Sequence, residues 1–216
     1  ILIGLAVGAV AGLINGLLVT KTGVPPFIIT LGMMGLARGA ALVITKGNSI
    51  SGFPKAYLEI GQGYLGPVPY PVIIALVLAV IIHIMLTYTT FGRRIYLVGS
   101  NEEAALLSGI SVNKIKVLVF TLCSTLAATE AIIETARFST AMGNAGTGYE
   151  LTAIGSVIIG GASMNGGEGT IIGTLLGATL LGLISNGLVQ LGVSTYWQQV
   201  FSGTIIILAV AMDTWR

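Results

Sequence analysis

The sequence predicts an all-α fold, a polytopic transmembrane helical bundle, and three observations carry that reading. Of its 216 residues 54% are hydrophobic and only 8% charged, against roughly 25% charged in a soluble domain, so a water-facing surface cannot be built from them. Several apolar windows reach the roughly 20 residues that a helix needs to cross a hydrocarbon core about 30 Å thick. Finally, ILIGLAVGAVAGLINGLLV and PVIIALVLAVIIHIML are apolar on every side, whereas the strands of a membrane barrel would alternate apolar and polar.

Spans are expected near residues 1–20, 27–45, 70–90, 114–137, 151–164, 170–190 and 196–212, in one transmembrane domain covering 1–216. Pro25 and Pro26 suit the start of the second, where the missing N–H has no intrahelical acceptor to serve. The fifth is short and Gly-rich, and reads as broken or re-entrant. Residues 46–69, rich in Gly, Pro and Ser with Tyr57 and Tyr64, and residues 91–113 read as the two long loops, where partners could dock. Basic residues orient the chain. With 91–116 in the cytoplasm, Arg93, Arg94, Lys114 and Lys116 lie inside, Lys21 and Arg216 join them by parity, and Lys46 and Lys55 lie outside. The chain opens at Ile1 within an apolar helix, without a Met or a charged leader, and reads as cut from a longer polypeptide.

Other classes lose their support on composition. A net charge of +2 with scattered basic residues does not fit nucleic acid. Cys123 is the single cysteine and lies in an apolar run, so there is neither a disulfide framework nor a metal-ligand set. One histidine, no Gly-x-Ser-x-Gly elbow and no ligand cluster leave hydrolytic and zinc chemistry without their parts.

A repeat is visible with one residue of slippage. Gly4-x-x-x-Gly8-Ala9 leads to Gly12-Leu13-Ile14-Asn15-Gly16, and Gly173-x-x-x-Gly177-Ala178 leads to Gly182-Leu183-Ile184-Ser185-Asn186-Gly187. By the orientation above the two run in opposite senses, which fits an inverted repeat; convergence of two Gly-rich apolar helices is the alternative. Gly4, Gly8, Gly12 and Gly16 at four-residue spacing predict a helix packed closely on a neighbour, since small residues let backbones approach in lipid.

The loop FGRRIYLVGSNEEAALLSGISVNKIK holds a helix signal. Asn101 can cap, Glu102 and Glu103 suit a first turn, Ala104, Ala105, Leu106 and Leu107 follow, and Gly109 stops it. So short a helix is not stable alone in water and needs a partner surface. Glu103-Ala104-Ala105-x-x-x-Gly109 resembles the Glu-Ala-Ala-x-x-x-Gly coupling segment of ATP-binding-cassette importer permeases. With ARFSTAMGNAGTGYELTAIGSVIIGGASMNGGEGTIIGTLLGA, and over essentially the whole chain, the sequence is similar to bacterial permeases for ribose and related monosaccharides.

The resemblance implies a bacterial plasma (inner) membrane subunit with the vitamin B12 permease type of fold, of the type II importers. It implies a second permease subunit, a homodimer by preference, cytoplasmic ATPase subunits that hold the ATP and magnesium, and an extracytoplasmic sugar-binding protein. Asn101, Glu102, Glu103, Ala104, Ala105, Gly109 and Ile110 would then seat in the ATPase. Two departures stand out: no proline follows Gly109, and the family's first helices are absent from this chain. The residues agree that the chain is not itself the ATPase. No Gly-x-x-x-x-Gly-Lys-Ser/Thr loop occurs, and Gly160–Gly169 carries Glu168 where a lysine is required. That stretch reads as a tight turn.

Ionisable residues at membrane depth are costly and are candidates for function. Here they are Arg38, His83, Glu130, Glu134, Arg137 and Glu150. Glu134 and Arg137 are spaced for an intrahelical pair. Glu130 either meets Arg38 across the bundle or lines the path. His83 reads as an interior or interface histidine, with a proton relay as its alternative. Tyr149 could stack on a sugar, or serve with Glu150 as a helix cap or interface. The substrate-path candidates are therefore Glu130, Glu134, Tyr149 and Glu150. Two rival functions remain: a proton-coupled transporter using Glu130, Glu134 and His83, and an amino-acid permease of the same superfamily.

Overall fold

The computed structural model describes residues 1–194 with 197, 200, 203–205, 207 and 211. The span expected at 196–212 and Arg216 thus lie, apart from those isolated positions, outside the described residues. Helices dominate: α1 (Leu2–Thr22), α2 (Pro26–Thr45), α3 (Lys55–Gln62), α4 (Tyr70–Tyr88), α5 (Thr90–Ser100), α6 (Glu102–Leu107), α7 (Val112–Phe138), α8 (Tyr149–Ile159) and α9 (Ile171–Gln190). Short strands β1 (Ile50–Ser51), β2 (Tyr64–Leu65), β3 (Val68–Pro69) and β4 (Thr140–Ala141) lie between them. Among the described residues five helices, α1, α2, α4, α7 and α9, are long and apolar enough to cross a membrane. The chain divides into two compact units, one of Ile1–Leu78 with Ser111–Ala145, the other of Ala79–Ile110 with Gly146–Arg216.

In the first unit α1 lies antiparallel on α7 through its glycine stripe. A Cβ on Gly8 would stand 2.5 Å from the Ala128 Cβ, one on Gly12 2.5 Å from the Phe120 carbonyl, and one on Gly16 2.7 Å from the Val117 Cα. Only hydrogen fits there, so backbone meets backbone, which is how helices gain dispersion energy in lipid. Gly12, Asn15, Gly16 and Val19 are the buried residues of α1, one helical face at i, i+3, i+4 and i+7. Three threonine hydroxyls of α7 are satisfied within the helix: those of Thr121, Thr125 and Thr129 donate to the carbonyls of Val117, Thr121 and Thr125 at 2.8, 2.7 and 2.9 Å. On α1, by contrast, the Asn15 Oδ1 is buried with no hydrogen-bond partner among the described residues.

The stretch 46–69, expected as a loop, is more ordered than that. Helix α3 docks on the last turns of α7, with Gly61 against the backbone of Ala136 and Arg137. The Tyr57 hydroxyl donates to the Ile132 carbonyl at 3.0 Å, and the Gln62 amide donates to the Arg137 carbonyl at 3.1 Å and the Ser139 hydroxyl at 2.8 Å. Of these acceptors the Arg137 carbonyl is one that the end of α7 otherwise leaves open. Strands β1 and β4 pair antiparallel, as do β2 and β3. No local pattern announces α3, because its order comes from those long-range contacts.

In the second unit α8 and α9 pack antiparallel: a Cβ on Gly177 would strike the Ser156 carbonyl, and one on Gly173 the Gly160 carbonyl. Helix α8, expected as a span at 151–164, has 11 residues. At about 1.5 Å per residue it covers roughly half of a hydrocarbon core, since the chain turns at Gly160 and Gly161, where φ is 86° at the second.

Gly12→Leu should separate α1 from α7 and destabilise the purified permease by about 1–3 kcal/mol, the usual cost of overpacking. Gly32→Ala on α2, where nothing lies within 4 Å among the described residues, should be nearly neutral. Thermal unfolding in detergent measures both; equal effects would contradict the packing described.

Candidate functional site

The segment that the sequence singled out folds as a short helix stub. Asn101 is extended (φ −156°, ψ 106°) and its Oδ1 accepts from the Ala104 N–H at 2.9 Å, the bond of an N-cap. Glu102 and Glu103 occupy the first turn, where the helix dipole favours negative charge. At the other end Gly109 has φ 80°. Its N–H donates to Leu106 at 2.9 Å and that of Ile110 to Ala105 at 3.0 Å, a Schellman pair that satisfies the final carbonyls. Ala105 is buried at 3% exposure, while Leu106 and Leu107 are 56% and 85% exposed. A capped, acidic-tipped helix presenting two leucines at its surface leaves an apolar contact open.

Helix α5 carries this stub, and the sequence did not show it as a helix. Thr89 caps it, accepting from the Gly92 N–H at 3.1 Å while donating to the Met85 carbonyl. Gly92 lies against the Leu86 carbonyl, which sets the elbow between α4 and α5. The same Asn101 that starts α6 ends α5, its N–H donating to Leu97 at 3.0 Å.

The stretch 160–169 forms a turn, as expected, and its packing is what the sequence concealed. A Cβ on Gly99 would stand 2.6 Å from the Gly167 nitrogen, and one on Gly166 2.6 Å from the Gly99 carbonyl. Gly167, at φ 79°, lies against Ser100. The Tyr96 hydroxyl donates to the Gly169 carbonyl at 2.7 Å. Thr170 then caps α9, accepting from Gly173 at 3.0 Å. Within this unit the stub is therefore continuous, through α5 and the Gly166–Gly169 turn, with the α8–α9 pair.

The substrate-path candidates are distributed over both units. Glu130 and Glu134 lie one turn apart on α7, Glu130 exposed and Glu134 half-buried. No ion pair joins Glu130 to Arg38 among the described residues, so that cross-bundle pairing is not formed. The Arg137 guanidinium lies 5.7 Å over the Phe138 ring and lines a cavity of about 280 Å³ with Gln62, Tyr64, Pro69 and Pro71. Gln62 and Tyr64 were missed as candidates because α3 and the β2–β3 hairpin that place them were not predicted. Glu150 is used locally: its carboxylate accepts from the Gly148 N–H at 3.1 Å at the start of α8, which is the cap alternative. Tyr149 is half exposed beside Gly146. The His83 ring meets Tyr88 edge-on at 6.3 Å between centroids.

Five membrane-length apolar helices among the described residues and close glycine packing define a polytopic, all-α membrane permease. The family model described as branched-chain amino acid transport system / permease component matches residues 1–210, and the chain belongs to that family, as a multi-pass protein of the bacterial inner membrane. It is 47% identical over 215 residues to the ribose import permease protein of Escherichia coli K12, covering 97% of this chain and 66% of that relative. It is 45% identical over 201 residues to the ribose import permease protein of Bacillus subtilis 168, with 92% and 62% covered. Identity to the D-allose transport system permease protein of E. coli K12 is 42% over 210 residues, with 97% and 64% covered. The chain thus spans just under two thirds of the length of these relatives. No solved structure matches it.

Asn101→Ala should cost α6 about 1 kcal/mol of stability and speed hydrogen exchange at the amides of residues 104–108 in the intact permease, whereas Asn101→Asp should keep the native rates. Unchanged exchange in the alanine variant would show that the cap is dispensable.

Proposed function

We propose that this chain is the membrane-passage portion of an ATP-driven importer permease for a monosaccharide such as ribose, working by alternating access. The observation that carries the proposal is α6: a helix too short to stand alone, capped at both ends, with Leu106 and Leu107 exposed and its base packed on the turn before α9. A helix of that design receives a push from a partner and passes it on through backbone contacts that cannot slip without clash. The partner is a cytoplasmic ATPase that holds the ATP and magnesium, with Asn101, Glu102, Glu103, Ala104, Ala105, Gly109 and Ile110 forming the contact. A second permease subunit, by preference a copy of the same protein, and an extracytoplasmic sugar-binding protein complete the transporter. Family membership and the import permeases at 47% and 45% identity support this reading.

For the solute, the matching family is described by branched-chain amino acids, while the relatives above are named for ribose and allose. The high identity over nearly the whole chain favours a sugar. Glu130, Glu134, Tyr149 and Glu150 remain the proposed path residues, with Glu150 the weakest because its carboxylate is engaged at the start of α8.

Reconstituted with its ATPase and binding protein, the full-length permease should lose uptake on Glu103→Ala or Gly109→Val by about tenfold or more while ATP hydrolysis continues. Gly109→Val forces a branched residue to positive φ, which strains the end of α6. Normal uptake with residues 101–110 scrambled would sink the proposal. Uptake that survives ATP depletion but collapses with the proton gradient would favour a proton-coupled carrier instead.

A further inference from the structure

A second feature of the first unit is independent of α6. The antiparallel register that sets Gly16 on Val117 brings the end of α1 level with the start of α7. A groove of about 480 Å³ opens there, lined by Leu17, Thr20, Lys21, Asn113, Lys114, Val117 and Leu118. Lys21 and Lys114 are exposed, and neither ammonium has an ion-pair partner among the described residues. Below them the walls are apolar, with Leu17 39% and Leu118 52% exposed. Thr20 offers little, because its hydroxyl donates back to Gly16 and Leu17 carbonyls at 2.9 and 3.2 Å.

Lys21, in the last turn of α1, follows the usual rule for helix ends, but the start of α7 runs against it. Helix α7 opens with no side-chain cap from Ser111 and no acidic residue in its first turn, yet Lys114 is placed there, where the dipole disfavours a cation. A bound anion would offset both the dipole and the unpaired lysines. The ligand must also explain the apolar shaft beneath the charges, and a soluble anion does not. Both helices are long and apolar enough to span a membrane, and the basic residues of the chain orient this end toward the cytoplasmic leaflet. Anionic lipids are recognised by basic pockets between spanning helices on that side.

We propose that the groove between the end of α1 and the start of α7 binds an anionic phospholipid, its phosphate held between Lys21 and Lys114 and an acyl chain lying along Leu17, Val117 and Leu118. The full-length permease, assembled with its partners in lipid nanodiscs, is illuminated with a photoactivatable phosphatidylglycerol or a matched phosphatidylcholine. Phosphatidylglycerol should label the peptides containing Leu17–Lys21 and Asn113–Leu118 several-fold more than phosphatidylcholine. In K21Q/K114Q that preference should disappear, the two lipids then labelling about equally, and K21R/K114R should retain it. Equal labelling by the two lipids in the unsubstituted protein would overturn the proposal without any variant having to fold. So would an unchanged preference in K21Q/K114Q, competition by glycerol phosphate (a soluble-anion site), or cross-links to protein alone (a groove covered by another chain).

Discussion

Helices in lipid gain nothing from hiding apolar surface from one another, so what holds this protein together is how closely two backbones can come. Everything else described depends on that constraint. On α1, Gly8, Gly12 and Gly16 admit the carbonyls and α carbons of α7 to distances that a methyl group would forbid. The resulting seam fixes a residue-by-residue register, and the register decides which side chains meet at each end. At one end it assembles Lys21 with Asn113 and Lys114; toward the other, α3 bonds the Ile132 and Arg137 carbonyls of α7.

The same constraint explains how a six-residue helix is anchored. By propensity alone α6 would melt, and its caps only reduce the loss. Its base is held by contacts of the same kind as the α1–α7 seam, glycine on glycine at Gly99, Gly166 and Gly167, with the Tyr96 hydroxyl bond added. A flexible side-chain interface could absorb a displacement by changing rotamers. Backbone atoms in contact have no such freedom, so movement of α5 must either move the turn or break the contact.

Much of the fold was legible because the bilayer simplifies the code. Continuous apolar length identifies a span without any need for periodicity, and α1, α2, α4, α7 and α9 begin and end close to their expected limits. Helix α6 was legible for a different reason: Asn101, Glu102, Glu103 and Gly109 each have a local job that their chemistry announces. Helices α3 and α5 were hidden. The sequence TFGRRIYLVGS mixes glycines, arginines and β-branched residues with no strong helical signature, and its order depends on Thr89 capping and on Gly92 meeting Leu86. In KAYLEIGQ the decisive residues are Gly61 and Gln62, whose partners lie some 75 positions along the chain. The same blindness hid Gln62 and Tyr64 beside Arg137, and offered Arg38 as a partner that Glu130 does not take.

Glycine spacing itself proved ambiguous until its partner was known. Helices α1 and α9 carry nearly the same pattern, yet α7 fills the α1 stripe from Gly4 to Gly16, whereas α8 covers only Gly173 and Gly177. Gly182 and Gly187 have nothing within 4 Å among the described residues. The difference follows from length. Helix α7 has 27 residues and α8 has 11, so an antiparallel α8 that meets Gly173 with its last turn runs out before it reaches the second half of α9. A repeated motif therefore specifies a capacity for close approach, and the length of the neighbouring helix decides how much of that capacity is used.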